Sequence, residues 1–320
     1  MRPKAKVSGL NAAANDRILS ITVTRTTQGK SDKTTIRLDD RDYRLEWPAK
    51  GKVITVEMGY IETGLVLMGT FEIDLVRHGD EQAAYMEITA NAQSHANSNV
   101  TGRIQQPWDE KTISTIVGTI ASRNGYAPQV DPAVAGFFYD HLQQNESDAH
   151  FLQRIAVSHD CYVKYENGKL IFWKRDNPLG SVTVHRGTGD PTATALTFSL
   201  NARNEFDCVK AQWRNRDDNK TYYETVGGGK KVKTLPRVFA NKQEAQEMAQ
   251  AEFSRLSRGT GTIDSMVIPG EPNVASGLLL NLVGFRPEAC AIQWKITEDV
   301  HTIDSGGYKT SVKAECTGNA

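Results

Sequence analysis

The chain has 320 residues, of which 39% are hydrophobic and 24% charged, with 38 basic and 38 acidic side chains. That length allows two or three domains, and the composition is that of a folded protein rather than a disordered one. Zero net charge argues against the broad basic field of a nucleic-acid-binding domain, and the densest apolar run, Gly277 to Phe285, is broken by Asn281 and falls far short of the roughly 20 residues a membrane helix needs. The opening M-R-P-K-A-K-V-S-G-L lacks the apolar core of a secretory signal, so the chain is expected to stay in the cytoplasm that makes it until it joins something larger. Cys161, Cys208, Cys290 and Cys316 share no C-x-x-C spacing; reduced buried thiols are expected, not a zinc ribbon or a redox pair.

From Arg17 to about Ala92 the chain reads as short strands. Ile21 and Val23 alternate with threonines, and Ile36 and Leu38 alternate with Arg37 and Asp39. Val53–Met58, Leu65–Met68, Phe71–Val76 and Tyr85–Ala90 follow, with turns at Gly59, Gly69 and His78-Gly79-Asp80. Short strands at regular spacing with one apolar face predict a small β-barrel or sandwich. A polar linker without periodicity runs from Gln93 to Gln106. A helix follows, with Asp109 as its expected cap, Ile113, Ile116, Val117 and Ile120 as its apolar stripe, and Asn124-Gly125 as its end. The stretch to Asp140, with Pro128 and Pro132, reads as loop.

Gln143 to Ala156 is the most informative segment. Phe151, Leu152, Ile155 and Ala156 recur at helical spacing, Ser147 is placed to cap the helix, and Asp148 suits the positive end of its dipole. Glu146 and Asp148 read as cap and surface charges, and Arg154 lies off the stripe, free to meet solvent or a carboxylate. After His159 the period changes to two. Cys161, Val163 and Tyr165 share one face, Tyr162 and Lys164 the other, and Asn167-Gly168 is the preferred pair for a type I′ turn. Leu170–Trp173 makes the return strand. The unit is a helix followed by a hairpin.

A Gly/Pro-rich break from Asn177 to Pro191 marks an expected domain boundary. Ala195–Leu200 and Cys208–Trp213 read as strands, and Arg214–Lys233, rich in charge and glycine, as a flexible tongue. Asn241 and Glu244 form a capping box for a helix carrying Ala245, Met248, Ala249 and Leu256 and stopping near Gly259. Thr262–Ile268, Leu278–Val283, Ile292–Val300 and Tyr308–Glu315 complete the strands. No fixed-period repeat is visible, although both end regions read as all-β blocks of comparable size.

The candidates for chemistry are weak. Gly227-Gly228-Gly229-Lys230-Lys231 has Glu224 where a phosphate-binding loop needs its first glycine and Val232 beyond the second lysine. His301, Asp299 and Asp304 could be called an acid–base set, yet Trp294, Ile296, Val300 and Ile303 around them read as strand packing, and no G-x-S-x-G elbow occurs. His141, His150 and His159 are spaced by nine, which fits no zinc motif. The acid pairs Asp39-Asp40 and Asp217-Asp218 read as turn and loop charges. No basic stripe interleaved with aromatics supports single-strand nucleic-acid binding. No cofactor, metal or catalytic residue is expected.

The run E-S-D-A-H-F-L-Q-R-I-A, from Glu146 to Ala156, resembles the late control gene D family of contractile phages and the hub region of the VgrG proteins of type VI secretion. G-T-F-E-I-D from Gly69, Ile268-Pro269-Gly270, W-K-I-T-E-D-V-H from Trp294 and G-Y-K-T from Gly307 resemble the same family in the same order. The resemblance implies a mainly β, α+β chain: two tail-tube-like β-barrels, 1–95 and 186–320, joined by a helix-plus-hairpin (αββ) module within 96–185. The second barrel would carry an inserted helix at about 241–258 and a flexible loop at about 214–233. Glu146, Ser147, Asp148, Phe151, Leu152, Arg154, Ile155, Ala156, Trp294, His301, Gly307, Tyr308 and Thr310 would be structural marks of the hub. The implied role is a homotrimeric adaptor in the tail baseplate of a virion or tailocin, between the six-fold tail tube and the three-fold central spike. Its partners would be spike, tube, other baseplate proteins and the tape measure protein, with no specific nucleic acid and no membrane insertion. The alternatives are a type VI hub and a hub-associated cell-wall hydrolase; the chain ends just past the G-Y-K-T strand, where no room for an added enzyme is expected. Transcriptional control, suggested by the family's name, has no basic helix-turn-helix behind it.

Overall fold

The computed structural model describes residues 1–27, 31–80, 83–92, 102–139, 142–201, 206–215, 218–258 and 260–318. Residues 93–101 of the expected linker, together with Asp140, His141, Asp217 and Gly259, lie outside them. The protein is mainly β, with 51% strand and 17% helix.

The first lobe contains β1 (Pro3–Ser8), β2 (Ile18–Thr26), β3 (Lys33–Asp39), β4 (Val53–Tyr60), β5 (Gly64–Gly79) and β6 (Tyr85–Asn91), in the sheet order β1-β4-β5-β6-β3-β2. The alternation predicted from sequence is the reason these residues pair: Ile21, Val23, Ile36, Leu38, Ile54, Val56, Ile73 and Ile88 all turn into one core, and their neighbours face out.

The middle module follows, with β7 (Arg103–Gln106), β8 (Lys111–Thr112), β9 (Ala127–Val130), β10 (Phe138–Tyr139), β11 (Gln143–Ser147), β12 (Cys161–Glu166) and β13 (Lys169–Lys174). Its helices are Ile113–Arg123, Pro132–Ala135 and Asp148–Ser158. The first is capped by Thr112, whose Oγ1 accepts from Thr115 N–H at 3.2 Å, and not by Asp109; three residues earlier, Asp109 is out of reach of the free N–H groups. The stretch read as loop contains β9, which adds to β13 in parallel as an edge strand. Pro128 is tolerated there because an edge leaves one side unpaired. The β12–β13 hairpin has Glu166 opposite Lys169, with Asn167 at φ 50° and Gly168 at φ 74°, the type I′ geometry expected of that pair.

The last part carries β14 (Ser181–His185), β15 (Ala195–Leu200), β16 (Cys208–Arg214), β17 (Thr221–Gly227), β18 (Val232–Phe239), the helix Lys242–Arg258, β19 (Gly261–Pro269), β20 (Leu279–Val283), β21 (Trp294–Asp304) and β22 (Gly307–Cys316). Strands β14-β20-β21-β22-β19-β15 form the second lobe. Taken by chain order within each lobe, both sheets run first, fourth, fifth, sixth, third, second. One pairing differs, β1–β4 being antiparallel and β14–β20 parallel. Strands β16, β17 and β18 with the Lys242–Arg258 helix are an insertion between β15 and β19. The Arg214–Lys233 stretch, read from sequence as a tongue, is strand β17 and the start of β18, paired on either side of β16. Val209, Ala211, Trp213, Val226, Leu235 and Phe239 form the face that packs on Ala245 and Ala249 of the helix. The other face mixes Lys210, Gln212 and Thr225 with exposed Tyr223 and Val238, so the segment shows no clean alternation in sequence and looks loop-like.

The lobes are not separate barrels. β2 pairs antiparallel with β21, from Ile21 opposite Ile303 to Thr26 opposite Glu298, and this joins both lobes into one 12-stranded sheet. Among the described residues that ladder does not close on itself; each lobe keeps its own core beneath a shared sheet.

Candidate functional site: the module fastener and the seam between the lobes

The segment Glu146–Ala156 works as a fastener. Ser147 Oγ accepts from His150 N–H at 3.2 Å, which starts the helix where the sequence places it. Phe151, Leu152, Ile155 and Ala156 are buried in the module core, and Phe151 stacks on Trp108 at 6.0 Å. Asp148, expected at the surface, is 1% exposed. Its carboxylate accepts a forked pair from Arg123, with Nε at 2.7 Å, plus Asn124 Nδ2 at 2.9 Å and Gln143 Nε2 at 3.0 Å. A buried carboxylate held by charged and amide donors is stable because every lone pair is used. It ties this helix to the C-terminal end of the Ile113–Arg123 helix. Glu146 binds Arg154, with Nη2 at 2.5 Å, and His150 at 2.9 Å on the outer side. Burial works to raise the Glu146 pKa, but the Arg154 and His150 bonds outweigh it and lower it. Arg103, Leu142, Glu146, His150 and Arg154 line a shallow open hollow there.

The second cluster lies where the three parts meet. Arg25 on β2 donates from Nε to Asp299 on β21 at 2.7 Å and from Nη2 to Val274 O at 2.6 Å. His301, 0% exposed, has Nδ1 at 2.9 Å from the Tyr308 hydroxyl and Nε2 at 3.1 Å from Asp299 Oδ2. Thr310 Oγ1 lies 3.2 Å from His301 Nδ1 and accepts from Glu271 N–H at 3.0 Å. Burial would raise the Asp299 carboxyl, but Arg25 and His301 outweigh it and hold it at about 2. Gly307, at φ 103°, turns β21 into β22, and Tyr308 packs on Tyr60 of β4 at 5.5 Å. Trp294 is fully buried, with Nε1 donating to Ala289 O at 2.8 Å.

The module is bolted to this seam by its own buried charges. Lys164, on the hairpin face opposite the module core, reaches Asp32 of the first lobe at 3.1 Å and Ser276 of the second at 3.5 Å. Burial pushes the Asp32 carboxyl up to about 6 in spite of Lys164. On the other side Arg258 forks onto Asp160, with Nη1 at 2.7 Å, and reaches Asp176 at 2.9 Å. Lys295 donates to the backbone carbonyls of Arg175 and Asn177, and burial lowers its pKa to about 8.

Chemically this is a joint. His301 and Asp299 have the residue types of an acid–base pair, but both are fully buried and every ring nitrogen faces a protein partner, so no substrate reaches them. Among the described residues no His, Cys, Asp and Glu side chains converge as a metal site, and no described helix is long and apolar enough to cross a membrane. Sequence reasoning missed Arg25, Asp32, Arg123, Lys164 and Arg258. Only Lys164, between Val163 and Tyr165 on a strand, carries a local signal; Arg25, Asp32, Arg123 and Arg258 stand between polar or small neighbours.

The chain is 27% identical to the probable baseplate hub protein of Escherichia phage P2, over 94% of this chain and 89% of that one. It is also 25% identical to the probable baseplate hub protein of Escherichia phage 186, over 94% of this chain and 88% of that one. Such relatives are structural tail proteins and not enzymes. No family model matches the chain. In fold, the chain is similar to a tail protein from Neisseria meningitidis MC58, with a TM-score of 0.71 at 12% identity over 98% and 97% of the two chains. It is also similar to a component of the Escherichia coli type VI secretion system, with a TM-score of 0.64 at 11% identity over 97% and 76%.

Proposed function

We propose that the chain is the structural baseplate hub of a contractile phage tail, prophage tail or tailocin. The observation that carries this is the sequence match to a phage hub protein along 94% of the chain. In this reading three copies assemble and join the six-fold tail tube to the three-fold central spike. Two lobes with one strand order support it, since two lobes in each of three chains supply six similar units. The units 1–95, 96–185 and 186–320 would then be a tube-like lobe, a connecting module and a second tube-like lobe, with the last boundary moved back to about residue 180 so that β14 joins the second lobe. The Glu146–Ala156 segment would be a hub mark because it fastens the connecting module, and Trp294, His301, Gly307, Tyr308 and Thr310 because they build the second lobe up to its seam with the first. Exposed Trp47, Val53, Leu67 and Tyr223 provide apolar area for neighbours in the baseplate. Spike, tube, other baseplate proteins and the tape measure protein are the partners, and the assembled location is the virion tail, reached from the host cytoplasm.

The test is mass in solution by light scattering, with and without the spike protein of the same tail. A trimer, alone or on the spike, is expected. A strict monomer that never trimerises with its spike overturns the hub reading.

A further inference from the structure

The buried joints of the chain use arginine, with one exception. Arg25 meets Asp299, Arg123 meets Asp148 and Arg258 meets Asp160. The exception is Lys164 with Asp32, whose side chains are 6% and 4% exposed and approach to 3.1 Å. Ion pairs made by other lysines among the described residues, such as Lys6 with Glu57 and Lys313 with Glu298, stand nearer the surface. The difference is chemical. A guanidinium keeps its proton in a protein, whereas an ammonium can give one up and become a nucleophile.

The surroundings of that pair suit a condensation. Lys164 lies on β12, and its neighbours Val163 and Tyr165 turn into the module core. Glu166, two residues on and on the same face, brings a second carboxylate to 3.3 Å from Lys164 Nζ, and at 28% exposure it also reaches water. Asp32 precedes β3 in the first lobe. Its backbone carbonyl accepts from Ala92 N–H at 2.8 Å and its Oδ1 accepts from Thr26 N–H at 3.0 Å, while Oδ2 faces Lys164. Ser276 Oγ, 3.5 Å from Nζ, holds the ammonium from the second lobe. An amine, a carboxyl group, a proton carrier and an N–H aimed at a carboxyl oxygen are thus fixed together, largely out of water.

We propose that the folded chain joins Lys164 to Asp32 through an isopeptide bond, with Glu166 as the proton carrier. One proton passes from Lys164 Nζ to Asp32 Oδ2, which turns the ion pair into an amine and a carboxylic acid. Nζ attacks Asp32 Cγ, and the charge that develops on Oδ1 is met by Thr26 N–H. Glu166 takes a second proton from Nζ and delivers it to Oδ2, which leaves as water on the exposed side of Glu166. The Nζ–Cγ bond forms, the Cγ–Oδ2 bond breaks, and Glu166 ends as the carboxylate it began as. Burial pushes the Asp32 carboxyl up to about 6, so it takes up a proton readily. Burial also works to lower the Lys164 pKa, but Asp32 and Glu166 outweigh it and raise it. The neutral pair is therefore scarce and the step slow, which a reaction needed once per chain tolerates. The product replaces two buried charges with one neutral amide and so removes their desolvation cost. It ties the first lobe to the module covalently, where the arginine joints stay ionic. This goes beyond the hub reading and does not depend on it.

The experiment is intact-mass spectrometry of the full chain, unfolded for the measurement after incubation in its folded state at neutral pH, followed by proteolysis and peptide sequencing. The expected mass is below that of the sequence by one water, with a branched peptide that links the Asp32 and Lys164 segments. Lys164→Arg, which keeps the charge of the joint, should restore the full mass. Glu166→Gln should slow the loss of water by about 100-fold or more, with circular dichroism showing the fold retained. A wild-type chain that keeps its full mass through days of incubation overturns the proposal, whatever the variants do. Loss of water that persists in Lys164→Arg, or a branch at other residues, overturns the assignment to this pair. An unchanged rate in Glu166→Gln overturns the role of Glu166.

Discussion

His301 on β21 and His78 on β5 occupy corresponding places in the two lobes, each five residues beyond an isoleucine, Ile296 or Ile73, where its strand slips register against the next, and their surroundings differ. His301 is buried beneath β2, between Asp299, Tyr308 and Thr310. His78 is partly exposed, tilted against Tyr43 at 5.5 Å, and its Nε2, 3.9 Å from Asp40 Oδ2, has no hydrogen-bond partner among the described residues. The strand order therefore does not dictate what fills a position. The cover does: where β2 lies over the edge, Arg25 and Asp299 are paired in the interior, and at the matching stretch of β5, beside which no described strand lies, Leu75 stays 49% exposed.

The comparison can be broken most forcefully at the covered site. Asp299→Ala leaves Arg25 and His301 buried without their anion and should cost about 3–5 kcal/mol, read from the urea midpoint of the isolated chain. The same carboxylate sets an acid limit. Its folded pKa, about 2, lies below its unfolded value, so its contribution is full above about pH 4 and fades as pH falls toward 2. Asp299→Asn should flatten the midpoint-against-pH curve in that window, and an unchanged curve would remove the ionic account of the seam. Asp148→Asn, which strands Arg123 inside the module, should cost about 2–3 kcal/mol and lower the melting temperature without altering any contact of the lobes. Ser147→Ala removes one cap and should cost about 1 kcal/mol. At the uncovered edge, Leu75→Ala should change the stability of the single chain by less than about 0.5 kcal/mol; a loss comparable to Asp299→Ala would show that the edge is covered within the chain after all.

What could be read from sequence was whatever is decided within a few residues. The Ser147 cap, the Phe151–Ile155 stripe, the Asn167-Gly168 turn and the Asn241 cap, which accepts from Glu244 N–H at 2.8 Å, all depend on neighbours along the chain. Asp109 was misplaced because Thr112 offered an equivalent oxygen nearer the helix. Asp148 read as a surface charge because its partners Arg123 and Gln143 come from other elements. β17 and β18 were hidden because only one face of that sheet is apolar and the helix covering it comes later. The continuity of the sheet was illegible for the same reason at its extreme: Arg25 and Asp299 are separated by 274 residues, and no local pattern encodes a partner so distant.

That separation also sets a timetable. During synthesis, β2 emerges early, and the strand that will cover it follows roughly 15 to 55 s later at about 5–20 residues per second. Through that interval the first lobe holds a bare edge, open to the wrong neighbour. β2 reads I-L-S-I-T-V-T-R-T, and Arg25 near its end waits for an ion-pair partner that has not yet been made. A charge at an exposed strand edge discourages pairing with another chain, and once Asp299 arrives the same charge becomes the lock.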